Sequence, residues 1–511
     1  MAGQEANESR WKGTALQARG FVSNDIKTIS VSQADLLLPT ADYIGSQALY
    51  SYFGRLIYDF DNKYSITASM RADGSSKFAD GNKWGYFPAA SATWKLSNES
   101  FMESTKKYVD NIKFKVGYGE TGNQQVPNYL YGTTLNTSPT GIGTSFLVTN
   151  YSNVDLQWES SKQTNLGIDF TLFDSRLAAT VEVYKKVSEK FLYQLPLPDY
   201  LTGGDSSYGG VSAPYSNIGK MENKGIDISL TYSTKSGRDF SWNSTLIVSK
   251  YKNKVVGIKD GLDLSRTILL NDFTPAIVTN TVVGQPMGLF YGHHYEGIYR
   301  DDASLVGAPT YYGNAPQKGD AIYQDTNNDN NIDEKDLKFI GNPHPDFTYG
   351  FTNNFRYKNI ELSIFLQGSQ GNDIMNLTRR AGTLNANLYT NQLAEAADFY
   401  TADNPNASLP RPVNALSHPN NKISDRYVED GSYLRIQNVT LGYSIPTDII
   451  SKLKLTRLRI YASVQNLHTF TNYKGYDPEV GSFNQDPLFM NIDNGRYPTP
   501  RTFTMGLNVE F

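Results

Sequence analysis

Residues 501–511 read RTFTMGLNVEF. Phe503, Met505, Leu507, Val509 and Phe511 alternate with Thr502, Thr504, Gly506, Asn508 and Glu510. Successive side chains of a strand point to opposite faces, so this stretch is a strand with one apolar and one polar face. Two architectures use such strands: a soluble sandwich, and a barrel whose apolar face meets lipid and whose polar face lines a lumen.

The same pattern recurs along the chain, mostly in pairs. Tyr50, Tyr52, Leu56 and Tyr58 lead through Asp61-Asn62 into Tyr64, Ile66, Ala68 and Met70. Ala90, Ala92 and Trp94 share a face, as do Ile112, Phe114, Val116 and Tyr118. Leu166, Ile168, Phe170 and Leu172 turn at Phe173-Asp174-Ser175 into Leu177, Ala179, Val181 and Val183. Ile226, Ile228, Leu230 and Tyr232 turn at Ser236-Gly237-Arg238 into Phe240, Trp242, Leu246 and Val248. Phe347, Tyr349, Phe351, Phe355 and Tyr357 turn at Lys358-Asn359 into Ile360, Leu362, Ile364 and Leu366. Val439, Leu441, Tyr443 and Ile445 precede Leu458, Ile460, Ala462 and Val464. Several runs hold the alternation for about ten residues, the length a tilted membrane strand requires, whereas sandwich strands average about five or six.

Connections alternate in length. Short turns near 61, 174, 237 and 358 face long polar segments at 120–157, 187–215, 253–344, 369–430 and 468–500. Short turns on one side and long loops on the other mark an outer-membrane barrel, with the long side outward. Composition agrees: 35 Tyr, 25 Phe and 42 Gly with only 39% hydrophobic residues suit aromatic girdles around a polar lumen. No apolar stretch is long enough for a transmembrane helix. A net charge of −4 gives no case for nucleic-acid binding, and the absence of Cys removes disulfide frameworks and thiolate metal sites. The first residues, MAGQEANESRWKG, are not a signal peptide. The expectation is an all-β, transmembrane antiparallel β-barrel. About thirteen to fifteen strands are countable, while loops this long belong to barrels of about 22 strands with a plugged lumen, so the chain reads as the C-terminal part of such a barrel, without a plug domain. Residues 1–46 read as a partial outer loop or strand remnant and 47–511 as barrel, with 253–344 and 369–430 the longest loops.

Particular segments carry a family resemblance. SYFGRLIYDFDNKYSITASMRADGSSKF (51–78), WGYFPAASATWKLSNE (84–99), FKVGYGETGNQ (114–124), LQWESSKQTNLGIDF (156–170), NIGKMENKGIDISL (217–230), IGNPHPDFTYGF (340–351), YLRIQNVTLGYSIP (433–446) and LRIYASVQNLHTFTNYKGYDPEV (458–480) resemble SusC/RagA-type TonB-dependent transporters of Bacteroidetes. The resemblance implies an integral outer-membrane protein that imports oligosaccharides, sometimes peptides. It implies a SusD-like surface lipoprotein as lid, the TonB complex as energy source, outer-membrane lipid around the wall, and the barrel assembly machinery, for which Phe511 would be the address. Two other readings share parts of the pattern: a TonB-dependent receptor for a siderophore or cobalamin, and a β-rich surface binding or adhesion protein.

The sharpest local motif is DTNNDNNIDEKD at 325–336. Numbered as a calcium loop, positions 1, 3, 5, 7, 9 and 12 are Asp325, Asn327, Asp329, Asn331, Asp333 and Asp336, a run of oxygen donors suited to a hard cation. Two departures stand out. Asn330 replaces the glycine of position 6, although Asn tolerates the left-handed conformation, and Asp336 replaces the longer Glu of position 12. A solvated Asp/Asn turn has the same composition. Tyr311, Tyr312, Tyr389, Tyr400, Tyr473 and Tyr476 in the polar loops are candidates for stacking on sugar rings, against the alternative that loop cores also use tyrosine. His293-His294 reads as loop packing, because neighbours on a strand face opposite ways. No nucleophile–base constellation and no phosphate loop is present, so no enzymatic activity is expected.

Overall fold

The computed structural model describes residues 1–511 except 22, 24–35, 195–198, 204–209, 236–238, 260–263, 271–274, 384–390, 414–417 and 452–453. Among the described residues, fourteen strands are hydrogen-bonded in chain order into one sheet. They are β1 (Ala2–Arg19), β2 (Leu36–Phe60), β3 (Tyr64–Ser75), β4 (Trp84–Lys95), β5 (Val109–Asn123), β6 (Glu159–Leu172) and β7 (Leu177–Glu189). There follow β8 (Gly219–Ser233), β9 (Phe240–Ile258), β10 (Phe347–Tyr357), β11 (Ile360–Gln370), β12 (Tyr433–Ser444), β13 (Arg457–Thr471) and β14 (Thr502–Glu510). The pairings β1–β2, β2–β3 and β9 through β14 are antiparallel. No helix among the described residues is long and apolar enough to cross a membrane.

The tight turns have a local cause. Asp61 and Asn62 take φ of 49° and 50°, Phe173 to Ser175 take 56–61°, and Lys358 takes 51°. Three of these six positions are Asp or Asn, residues that visit the left-handed region readily, and such turns match the twist of paired strands. The turn at 236–238 lies outside the described residues. Residues 1–46, read from sequence as a loop or strand remnant, hold all of β1 and the first part of β2. GQEANESR alternates two polar sets, so no apolar period announced the strand.

Register is keyed by rings set over glycines. Tyr461 of β13 pairs directly with Gly506 of β14, and Tyr349 of β10 with Gly368 of β11. A Cβ on Gly506 would lie 2.5 Å from the Tyr461 ring. A Cβ on Gly368 would meet the Tyr349 ring at 2.4 Å. With the rings in these positions, glycine is the residue that fits opposite them.

Two compact units are distinguishable. One comprises Met1–Ala92, Gly117–Thr164 and Val187–Lys220. Its core is Phe78, Phe87, Val126, Leu156 and Trp158, with the indole Nε1 donating to the Lys83 carbonyl at 2.8 Å. The other comprises Thr93–Val116, Asn165–Lys186 and Met221–Phe511. Here the long connections fold on themselves instead of running free. Arg266–Leu269, Pro275–Asn280, Leu289–Gly292 and Lys338–Gly341 form a four-stranded sheet. Ile268, Val278 and Phe290 of these strands form one core with Leu270, Met375, Leu377, Ile423, Phe489 and Ile492. A second cluster joins Tyr299, Tyr311, Ala321, Tyr323 and Ile332. By contrast, the apolar faces of the sheet strands stay uncovered: Leu56, Ile66, Leu246, Ile360, Leu441, Ile460 and Leu507 are all exposed. Such a run of uncovered aliphatics is unstable in water and stable in hydrocarbon.

Candidate functional site

The 325–336 segment is a loop closed by its own side chains. Asp325 Oδ2 accepts from the Asn330 amide at 2.8 Å, Asn327 Oδ1 from Asp329 at 2.9 Å, and Asp329 Oδ1 from Asn331 at 3.0 Å. Asp336 is fully buried; its Oδ1 accepts from Thr326 N and its Oδ2 from Asp333 N, both at 2.8 Å. Asn330 takes φ of 62°, the left-handed conformation that position 6 of a calcium loop demands. Asn331–Ile332 pairs in parallel with Thr310–Tyr311, and Ile332 seats in the tyrosine-rich cluster, which anchors the loop.

Asp325 Oδ1 is buried and accepts no hydrogen bond. An orphaned carboxylate oxygen in a segment rich in Asn and Asp fits a hard cation by chemistry. The side chains are not gathered here, however: among the described residues no three His, Asp or Glu groups converge as a metal site. Instead the Lys335 ammonium stands 3.8 Å from both Asp329 Oδ2 and Asp333 Oδ2. The residues therefore fit calcium in identity and backbone conformation, with Lys335 as the competing cation.

The tyrosines divide by burial. Tyr311 is an interior residue whose hydroxyl donates to the Ala321 carbonyl. Tyr473 is interior too, its hydroxyl donating to Asp493 Oδ2 at 2.5 Å. Burial pushes both phenols far up. Neither ring offers a face to a ligand, because the loops need them as core. Tyr400 is half-buried and donates to the Arg300 carbonyl at 3.1 Å. Tyr312 and Tyr476 are exposed, at 39% and 72%. Tyr389 lies outside the described residues. Phe511 is exposed beside the end of β14.

A cavity of about 290 Å³ that the sequence did not announce lies beside Tyr312. His293, Glu334, Arg380 and Lys422 are among its polar lining, and Ile277 and Ile423 form part of its apolar wall. Lys422 Nζ sits 4.5 Å from the Tyr312 ring centre. Burial lowers the Lys422 ammonium, and Glu334 partly restores it. His293 is buried against Tyr323, ring centres 5.1 Å apart, as expected of a packing residue. Burial, and then Lys422, pushes its imidazole down to about 4, so the ring is neutral at pH 7. Arg380 is buried and donates from Nε and Nη2 to the Asn421 carbonyl, at 3.1 and 2.9 Å. The Lys422 ammonium is thus offset by Glu334, and the Arg380 guanidinium is spent on a backbone carbonyl. The cavity's walls come from short segments scattered over residues 267–423, so no local spacing betrays it.

Comparison with known proteins places this architecture. Residues 6–467 match the family described as TonB dependent receptor-like, beta-barrel. TonB-dependent receptor P3 of Formosa agariphila is 34% identical over 523 residues, covering 100% of this chain and 50% of that protein. TonB-dependent receptor SusC of Bacteroides thetaiotaomicron is 28% identical over 487 residues, covering 92% of this chain and 44% of that protein. Among solved structures, the RagAB peptide transporter superposes with a TM-score of 0.81 at 23% identity, covering 100% of this chain and 53% of that one. The chain thus spans about half the length of the curated relatives it matches. An all-β chain with an uncovered apolar face, a matching fold and a family match over most of its length leads to one assignment: the chain belongs to the TonB-dependent receptor β-barrel family.

Proposed function

We propose that the chain forms wall and outer loops of an outer-membrane importer for oligosaccharides. It would work with a SusD-like surface lipoprotein, and with the TonB complex acting through other parts of the full-length protein. The observation that carries the reading is the pairing of a two-faced strand sheet with long connections folded into a structured module that keeps Tyr312 and Tyr476 exposed. The likeness to SusC and to the fold of the RagAB transporter supports it. Peptide cargo is the second reading, favoured by the fold shared with a peptide transporter.

The test is genetic and biochemical. A strain lacking the full-length gene is grown on single polysaccharides, on peptides and on limiting chelated iron, and the tagged protein is captured for its partners. Loss of growth on one glycan, with a lipoprotein co-purifying, supports the reading. Normal growth on every glycan and peptide with a defect confined to chelated iron overturns it in favour of a siderophore receptor.

For the 325–336 loop we propose calcium as a structural ion, held by Asp325, Asn327, Asp329, the Asn331 carbonyl and Asp333, while Asp336, the last of the expected ligands, keeps both carboxylate oxygens on backbone amides. The ion would supply positive charge at the centre of the loop and no catalysis. Isothermal titration of the full-length protein tests this, and absence of a calcium signal lost in Asp325→Ala refutes it.

A further inference from the structure

Alternation on three neighbouring strands carries past the apolar residues into charge, always on the same face and at the same end. On β9, Phe240, Trp242, Leu246 and Val248 are followed in phase by Lys250, Lys252 and Lys254, all exposed. On β8, which runs the other way, Glu222 and Lys224 precede Ile226, Ile228, Leu230 and Tyr232 in phase. On β7, Leu177, Ala179, Val181 and Val183 are followed in phase by Lys185.

The other face fixes how these residues line up. Asn253 donates to Asn223 at 2.8 Å, and the Thr231 and Thr245 hydroxyls lie 3.0 Å apart. Both contacts have one register, which puts Lys252 opposite Lys224 and Lys254 opposite Glu222. Glu222 is bridged by Lys185 at 2.9 Å and Lys224 at 2.7 Å. The band therefore holds five lysines against one glutamate, in a chain whose net charge is −4. In the other unit the arrangement recurs, Glu189 lying 2.8 Å from both Lys162 and Lys220.

The band's height follows from strand geometry. Phe240 to Val248 runs about 26 Å along the strand, or about 20 Å once tilted, close to the apolar belt of an outer-membrane barrel. Lys250, Lys252 and Lys254 then fall about 5, 10 and 15 Å beyond it, at the depth of lipid head groups. Because β8 and β9 join at the short-turn end, the lysines sit at the long-loop end, which faces outward. They share the face that meets lipid, so cargo in the lumen does not reach them.

We infer that this band is a docking surface for the phosphates of the outer-leaflet lipid. Five ammonium groups in the head-group layer, with one carboxylate among them, match a lipid carrying more than one phosphate. The inference rests on the apolar face being lipid-facing, which the arginine pair described in the Discussion tests separately; it is independent of what the protein imports.

The full-length protein, purified in nonionic detergent, is titrated with a bis-phosphorylated glucosamine lipid and followed by native mass spectrometry. The dephosphorylated lipid and inorganic phosphate serve as comparisons. At about 1 kcal/mol per lysine, the triple variant K250Q/K252Q/K254Q should bind the phosphorylated lipid roughly 100-fold more weakly. K250R/K252R/K254R should stay within a few-fold of wild type. Wild-type-like binding by the glutamine variant overturns the inference. So does inorganic phosphate binding as tightly as the lipid, which would make this a free-anion site. If the glutamine variant does not assemble, the wild type decides alone. A preference for the phosphorylated over the dephosphorylated lipid that fades with salt supports the inference, and no preference overturns it.

Discussion

Replacing Asp336 with alanine should open the 325–336 loop while leaving the strand wall intact. The carboxylate is fully buried and accepts from two backbone amides, Thr326 N and Asp333 N, each at 2.8 Å. The second of these contacts closes the capping box of the short 334–336 turn. Alanine leaves both amides without their partner. Each stranded donor costs about 1–3 kcal/mol, and water entering the loop recovers part of that. A net loss of about 2–4 kcal/mol corresponds to roughly a 30- to 1,000-fold rise in the open population. Asp336→Asn keeps one acceptor oxygen and should fall about midway. Limited proteolysis of the full-length protein in detergent reads this directly, because cleavage follows the open fraction when reclosing is fast. Cleavage inside 325–336 should accelerate in the order wild type, Asn, Ala, with unchanged cleavage elsewhere. Equal rates for all three proteins would refute the view that Asp336 closes the loop.

His293 should make the loop module sensitive to acid. Its imidazole is held at about 4 against 6.5 in the unfolded chain. The unfolded state thus binds the proton first, and stability present above pH 6.5 is lost as pH falls towards 4, by up to about 3 kcal/mol. Hydrogen exchange at pH 7 and pH 4.5 should show protection near Ile423 and Tyr323 falling in wild type but not in His293→Phe; parallel profiles would refute it. On β9, Leu246→Arg should cost about 2–4 kcal/mol of refolding stability in lipid while Asn243→Arg, one face over, costs little. Equal effects in folding titrations would mean that the lipid face is misassigned. Arg435 is buried, donates to Glu479 at 2.9 Å and to Thr469 at 2.9 Å, and pairs with buried Asp477. Arg435→Ala should therefore destabilise the protein by about 3–5 kcal/mol and Arg435→Ala/Asp477→Ala by less, since the double variant strands no buried charge. A double variant worse than both singles in denaturant melts would refute the pairing.

The strands were legible because lipid imposes a strict period. Wherever apolar residues alternate over a full span, as from Phe503 to Val509 or from Phe347 to Phe355, sequence and structure agree. β1 escaped because its two faces are both polar. The loops were legible only as lengths. Val278, Phe290 and Ile492 form one core, yet they come from segments separated by more than two hundred residues, and no local pattern marks such packing. Individual tyrosines were harder still. Tyr311 and Tyr312 are adjacent, but one is interior and the other exposed: Tyr311 lies in the strand pair with Asn331–Ile332, whereas Tyr312, just past it, takes a left-handed φ of 47°.

The ring-over-glycine pairs have a consequence for assembly. A strand sheet with one apolar face tolerates slippage by two residues, since that returns every apolar side chain to lipid. Tyr461 against Gly506 and Tyr349 against Gly368 do not. Two steps away from Gly506 the ring would meet the Cβ of Thr504 or Asn508; from Gly368 it would meet that of Leu366 or Gln370. The chain thus carries a steric preference for one register over its two-residue neighbours, a discrimination that hydrophobicity alone does not supply.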